Sequence, residues 1–493
     1  MVIGVDLGTQ SVKAAIFGLD GVQVARATAP MPLHRLSDEV YQEPDDFYRV
    51  TTDTIASCVS QWGGSPADVA GLGIAGQMAG ILGIAADGYA TMPYDSWLDS
   101  RCHNEQREIA VQFGRRLVEL TGCPSMVAHA PKMLWWSKAR PDVYGRVAKF
   151  VMPGAYVAGR LCGLAAADAY IDFTYLHFSG LVDAARGDWS EELIERTGLD
   201  AKRLPRIVAP TDAIGKVTAE AAEDCGLRAG TLVAAGLGDT AAGALGAGVV
   251  RPGQLFDTAG TASVLGISAD EFRPDPSGML VTMRGAIAGQ WISLAYVAGG
   301  DLLRWLPQAL GDAPLELLLE EAESASGAGQ LVFVPYLGGR ILPAAPEARG
   351  AWIGLQFSQT RGNLTRAVLE SVAFEYAGFL ERALQLMPEL VPREVRVIGG
   401  GGVNSFWSRI KASVLGLRYV RPGRDVLSCW GAALTAAVAS GAVDDLETTA
   451  TATNDVDEQI EPELEMQSIY AERLKDYRRL ASLLVPTPDE VHQ

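Results

Sequence analysis

Histidine is scarce in this 493-residue chain, cations are outnumbered, and no two cysteines form a motif. The five histidines are His34, His103, His129, His177 and His492. None lies in a Gly-x-Ser-x-Gly or His-Glu-x-x-His context, so serine-hydrolase and zinc-protease chemistry lack their parts. The six cysteines, Cys58, Cys102, Cys123, Cys162, Cys225 and Cys429, are far apart. Without a Cys-x-x-Cys pair there is neither a zinc knuckle nor a dithiol redox motif, and reduced thiols are expected. Lys and Arg number 41 against 59 Asp and Glu, a formal charge of −18. That field repels phosphate backbones and anionic lipid, so nucleic acid and membrane surfaces are not expected as partners. A small anion is still admissible, because backbone N–H groups or a bound cation can hold phosphate locally. Long apolar runs are also missing. The least polar stretch, Val69 to Ala86, is broken by repeated glycines and by Gln77, which fits buried strands joined by a turn rather than a membrane helix. The chain opens directly on a strand pattern at Val2–Val5 with no signal-peptide pattern, and a cytoplasmic protein is expected.

The remaining composition, 48% apolar and 20% charged, is that of an ordinary globular protein long enough for roughly two to four domains. Two regions open alike. Near the start, Val2–Val5 leads to Asp6-Leu7-Gly8-Thr9-Gln10-Ser11, then a second strand pattern to Phe17, a turn at Leu19-Asp20-Gly21 and a third pattern from Val22. Near the middle, Gln254–Phe256 leads to Asp257-Thr258-Ala259-Gly260-Thr261-Ala262, then Ser263–Ile267, Met279–Ala288 and Trp291–Leu294. The second copy has one more residue between its Asp and its Thr. Such a repeat predicts two related α/β domains with a cleft between them, divided near Leu245 into residues 1–245 and 246–493. Helices are predicted at Glu191–Thr197 and Ala219–Cys225, each stopped by glycine, and from Leu364 to Met387, stopped by Pro388. Tyr470, Leu474, Tyr477, Ala481 and Leu484 keep a helical period, so a C-terminal helix should pack on the second domain. The acidic, threonine-rich segment from Asp444 to Glu463 reads as a mobile surface loop.

Chemistry gathers in glycine-rich turns that follow apolar strands. Asp6-x-Gly8-Thr9 sets a carboxylate at a strand end beside backbone N–H groups, which suits Mg²⁺ and phosphate, although such a turn is also a common structural one. Gly260-Thr261 makes the same offer from the second copy. Gly399 to Gly402 follow the strand pattern Val395–Ile398 and precede a helix start at Asn404-Ser405. Residues without Cβ let a flat ligand approach the backbone, and the helix N-terminus favours anions. Asp239, in Gly236-Leu237-Gly238-Asp239-Thr240, is either a helix cap or a general base with room for a substrate hydroxyl.

Taken together these residues resemble the FGGY carbohydrate kinases, closest to the xylulokinase branch, within the actin, Hsp70 and sugar-kinase superfold. Gly4-Val5-Asp6-Leu7-Gly8-Thr9 with Lys13 looks like the first phosphate loop of that family. Pro131-Lys132-Met133-Leu134-Trp135 matches the core of its first signature, with His129 where Pro, Ser or Thr is usual. Gly350–Leu355 followed by Asn363–Glu370 matches the second signature throughout. The resemblance implies two ribonuclease-H-like α/β domains around a catalytic cleft, and an ATP- and Mg²⁺-dependent phosphotransferase acting on an alcohol group of a small ketose or polyol. It implies Asp239 as catalytic base, Asp6 as the Mg²⁺ residue, and Gly8, Thr9, Lys13, Gly260 and Thr261 around the phosphates. Gly400, Gly401, Gly402 and Asn404 would lie against the adenosine. Gln77, Met78, Trp97, Asp99, Arg101 and Thr240 would join Asp239 around the sugar. Ala79 stands where xylulokinases carry a sugar-contacting histidine, Met78-Ala79 replaces the Arg-Glu pair of glycerol kinases, and Pro335–Arg340 lacks the glutamate usual before the arginine. The sugar is therefore open, with xylulose the first guess. A homodimer is compatible with the resemblance. A sensor without catalysis and a chaperone- or actin-like ATPase share the superfold, but a sensor would typically lose the base that is present here, and an ATPase would not need the Gln77–Trp97–Arg101 pocket.

Overall fold

A computed structural model describes residues 1–259, 263–297, 299–325, 327–399 and 404–485. Gly260, Thr261 and Gly400 to Gly402, where phosphate and adenosine contacts are expected, lie outside the described residues.

The strand Val2–Leu7 is buried on both faces except at Asp6, and strands of that kind take the centre of a covered sheet. It pairs antiparallel with Ser11–Phe17 and parallel with Gly71–Gly76. The full order is Ala213–Lys216, Leu232–Ala234, Gly71–Gly76, Val2–Leu7, Ser11–Phe17, Gln23–Pro30, with Leu237–Gly238 continuing beside the upper end of Gly71–Gly76. The second sheet repeats the plan. Leu255–Ala259 pairs antiparallel with Ser263–Ala269 and parallel with Glu394–Ile398. Val281–Arg284 and Trp291–Val297 extend one side; Arg418–Pro422 and Val456–Ile460 extend the other. The repeated opening of the sequence is thus a repeated sheet topology, and the protein is an α/β structure built around two seven-stranded sheets.

Between Gly76 and Ala213 the chain leaves the first sheet and builds the helices and short strands that carry Trp97, Lys132 and Thr174. The helices Glu191–Thr197 and Ala219–Cys225 form as predicted, each ending on a left-handed glycine. The long helix Arg361–Leu386 begins at a capping box in which Thr360 and Asn363 exchange hydrogen bonds. The C-terminal helix Leu464–Ala481 buries Tyr470, Tyr477 and Ala481 in the core of the second unit.

One segment departs from expectation. Residues 444–463 are not a loop: Leu446–Ala452 is a helix capped by Asp445, and Val456–Ile460 is the edge strand of the second sheet. The acidic composition that suggested a loop belongs to that edge, where Arg421 pairs with Asp457 and Glu458. Charged side chains are a usual protection for an unpaired strand edge.

The helix Leu427–Ala439 is apolar on nearly every side, the pattern of a fully buried helix. Although late in the chain, it packs on the first sheet and against the helix Asp239–Gly246. Glycines set the distance. A Cβ at Gly4 would lie 1.7 Å from the Cys429 carbonyl oxygen, and one at Gly73 would lie 2.0 Å from that of Ala432. Gly246 and Gly431 make equally close approaches to Leu427 and Ala242. Among the described residues no helix is long and apolar enough to cross a membrane.

Candidate active site

Asp239 is the first residue of the helix Asp239–Gly246, set there because the strand Leu237–Gly238 ends against Gly76. Its Oδ1 accepts from the Thr240 N–H at 2.6 Å and from the Thr240 hydroxyl at 3.2 Å. Oδ2 takes no hydrogen bond among the described residues. Burial raises the Asp239 carboxyl to about 7, the nearby charge of Asp6 adds to the rise, and the Thr240 bonds oppose it. Asp6 closes the strand Val2–Leu7 on the same side. It too is raised by burial, with Lys13 working the other way from 3.7 Å. Two mutually repelling carboxylates thus lie near one another, with one ammonium group beside Asp6. Tyr94 and Tyr175 lie within the field of Asp239, and so does Tyr296, which reaches across from the second sheet.

Met78 is packed against Gly238, the residue before Asp239: a Cβ on Gly238 would meet its Sδ and Cε at 2.7 Å. Ala79 follows with φ +65°, an unusual backbone for a residue with a Cβ. Gln77 is buried and donates from Nε2 to Gln42 at 2.8 Å, while Gln42 holds the Thr9 and Pro32 carbonyls. The Thr9 hydroxyl donates to Gln77 Oε1 at 3.1 Å and accepts from Trp97 Nε1 at 2.9 Å. Thr9, expected at the phosphates, therefore has its side chain bound to two residues expected at the sugar. Gly8 N–H closes the turn on the Ser11 carbonyl.

Asp99 and Arg101 are engaged inside the protein. Asp99 is buried and accepts from the Val40 and Arg101 backbone N–H groups. Arg101 Nε reaches both Asp99 oxygens, its Nη1 reaches Glu39 at 2.8 Å, and its guanidinium lies 4.2 Å from the Trp135 ring centroid. Beneath them Lys132 is fully buried. All three of its protons are used: on Asp95 at 2.6 Å and on the Ser96 and Asp99 carbonyls at 2.9 Å. Trp136 Nε1 donates to the other Asp95 oxygen. Lys132 and Asp95 accordingly shape the loop that presents Trp97.

A second support was not evident from sequence. The Thr174 hydroxyl accepts from the Gly238 N–H at 2.8 Å and donates to Asp172 Oδ1 at 2.5 Å. Asp172 is buried, and burial raises its carboxyl to about 7 against the Thr174 hydrogen bonds. Tyr175 donates to the Gly76 and Leu237 carbonyls, and Tyr170 to that of Ala235. These residues fix the strand end immediately before Asp239. The only local signal was Asp172-Phe173-Thr174, which also reads as a plain helix cap.

The N-terminal domain model of the FGGY family of carbohydrate kinases matches residues 1–246, and its C-terminal domain model matches residues 256–440. The chain belongs to the FGGY family of carbohydrate kinases. It is 31% identical to a xylulose kinase of Klebsiella pneumoniae over 450 residues, 89% of this chain and 90% of that one. Against a xylulose kinase of Escherichia coli it is 28% identical, covering 99% of both. The crystal structure of a xylulose kinase from Rhodospirillum rubrum superposes with a TM-score of 0.89 at 26% identity over 98% of each chain. The protein is a sugar phosphotransferase of this family, with ATP as the family's phosphoryl donor.

Three parts of the kinase that attract notice in sequence have structural partners. Asp257, the counterpart of Asp6, is buried inside its strand and bound by Lys411 Nζ at 2.6 Å and the Tyr376 hydroxyl at 2.8 Å. Asp6 is by contrast partly exposed and has Lys13 at 3.7 Å as its ion-pair partner among the described residues. Asn404 caps the helix Ser405–Leu415 through Oδ1 on the Trp407 N–H. In the second signature Asn363 caps its helix, and Glu370 is buried between Arg366 and Arg473. That signature marks how the long helix is held.

Proposed function

We propose that this kinase transfers the γ-phosphoryl group of ATP to a hydroxyl of a small ketose, with D-xylulose the first sugar to test, and that Asp239 is the base. The observation that carries the reading is the Asp239 carboxyl itself. It stands at a helix start close to Asp6, raised to about 7, with Oδ1 held by Thr240 and Oδ2 without a hydrogen bond among the described residues. A carboxylate tuned close to neutral pH is matched to taking a proton from a sugar hydroxyl. As the hydroxyl oxygen bonds to the γ-phosphorus, its proton passes to Oδ2, the bond from phosphorus to the β,γ-bridging oxygen breaks, and ADP leaves. Positioning and charge neutralisation supply most of what phosphoryl transfer needs.

In this reading residues 1–245 provide the sugar pocket, the first phosphate turn and the base, and residues 246–493 the nucleotide platform. Gln77, Met78 and Trp97 line the sugar, while Asp99 and Arg101 act through the loop that carries Trp97. Thr9 links that pocket to the phosphate turn. The Asp6 carboxylate, close to Asp239 and only loosely met by Lys13, suits a divalent cation, which relieves the repulsion between the two carboxylates. Mg²⁺ held there would neutralise phosphate charge. The names of the relatives point to xylulose, and Ala79 leaves more room than a histidine would.

The test is ADP release from Mg·ATP across pentuloses, hexuloses, tetruloses and polyols, with Asp239→Asn alongside. Removing a general base costs about 10²–10⁴-fold, so strong turnover with one sugar and its collapse in Asp239→Asn are expected, with ATP binding preserved. Unchanged turnover in the variant removes Asp239 from the mechanism.

A further inference from the structure

A cavity of about 240 Å³ lies away from the Asp239 network, between the helices Arg361–Leu386 and Leu464–Ala481, under the segment Tyr336–Pro343. Glu375 stands in its wall. Its Oε1 accepts from the Tyr336 hydroxyl at 2.8 Å and from the Tyr477 hydroxyl. Oε2 has no hydrogen bond among the described residues, and Glu375 lines the cavity. Arg340 lies on the same wall; its Nε holds the Pro343 carbonyl, and its terminal nitrogens make no other hydrogen bond among the described residues. Phe379 and Leu342 supply apolar surface.

Gly378 is the second observation. It sits mid-helix, where glycine is less favourable than alanine, yet a Cβ built there would meet nothing within 4 Å. Neither a close neighbour nor a left-handed backbone calls for glycine at this position, and Gly378 forms part of the cavity wall. Filling the cavity with an apolar molecule would leave the Glu375 oxygen and the Arg340 N–H groups unpaired, which is costly. A phosphate would face the Glu375 carboxylate. An acceptor oxygen, guanidinium donors and flanking aromatic rings together suit hydroxyl groups on a compact carbon frame, and the volume is below that of drug-sized pockets.

We propose that this cavity is a second binding site, for a monosaccharide-sized polyhydroxylated molecule. Occupancy would bridge Arg340 and Glu375 and tie the segment Tyr336–Pro343 to both helices. The site reports separately from the Asp239 region, because Met279 lines the cavity and Met78 packs against Gly238. The experiment is methyl NMR of the full-length kinase labelled at its methionine methyl groups and titrated with xylitol, and separately with L-alanine. A saturable shift of the Met279 methyl with xylitol is expected. It should vanish in Gly378→Leu and weaken at least about tenfold in Glu375→Gln, the loss of one hydrogen bond to a charged group, while any Met78 response is unchanged. Should Gly378→Leu fail to fold, Arg340→Met takes its place with the same expectation. No Met279 response to xylitol, a response unaltered in the variants, or a response to L-alanine alone overturns the proposal.

Discussion

The Thr174 hydroxyl is the most exposed point of the machinery to a small perturbation, since one oxygen accepts from the Gly238 N–H and donates to Asp172. Thr174→Val keeps the shape and removes both bonds. The Gly238 N–H is left buried without a partner, at about 1–3 kcal/mol, and Asp172 loses a donor worth about 1 kcal/mol. The variant should be less stable by about 2–4 kcal/mol, which lowers the melting temperature by roughly 5–10 °C for a unit of this size. Gly238 immediately precedes Asp239, so the same change should displace the carboxylate. A displacement near 1 Å can cost about 10²-fold in rate, and ADP release should fall about 10- to 100-fold. Thr174→Ser restores the hydroxyl and should recover most of the activity, losing only the stability of one buried methyl, about 1 kcal/mol. Melting curves and sugar-dependent ADP release on the three proteins decide it. A Thr174→Val variant that melts and turns over like the parent, or a serine variant no better than valine, refutes the relay from Asp172 to Gly238.

Asp172 gives a pH signature of known sign. Its folded value, about 7, lies above that of an ordinary carboxylate, so its contribution to stability is fully present at acid pH and is lost as pH rises from about 4 through 7. Asp172→Asn keeps the acceptor for Thr174 without that loss: urea unfolding should find it more stable than the parent by about 1–4 kcal/mol at pH 8 and equal to it near pH 4, and equal stabilities at both pH values would count against a raised Asp172. Lys132→Met strands Asp95 without its partner and should cost about 3–5 kcal/mol, with a raised KM for sugar as the Trp97 loop loosens; denaturant midpoints indistinguishable from the parent would show that the buried pair is dispensable. Ala79→Gly relieves a left-handed backbone and should raise stability by about 0.5–1 kcal/mol, whereas a lower melting temperature would mean that the Ala79 methyl packs usefully.

Much of this was readable from residue order. Apolar runs ending in Asp6-x-Gly8 and in Gly238-Asp239 announce strand ends, and both carboxylates stand at such ends, partly exposed. The glycine stops at Gly198 and Gly226 fixed two helices to the residue. What escaped depends on contacts between distant segments. Nothing local says that the Thr9 hydroxyl turns to Gln77 and Trp97, or that Asp257 meets a lysine 154 residues later. The edge strand at Val456–Ile460 was hidden because its exposed alternation of charges looks like loop composition. The first signature, by contrast, gave the position of Lys132 but not its task, which appears only when the loop of Asp95 to Asp99 is folded over it.

The helix Leu427–Ala439 imposes an order of events on synthesis. When residue 246 leaves the ribosome, every strand of the first sheet has been made, yet the face at Gly4 and Gly73 still awaits a helix that begins 181 residues later. The nascent N-terminal half must therefore wait with a glycine-lined apolar face uncovered while most of the second half is made. A gene cut at the seam between the two family matches would encode a first fragment that is all present in sequence and permanently unfinished in its core.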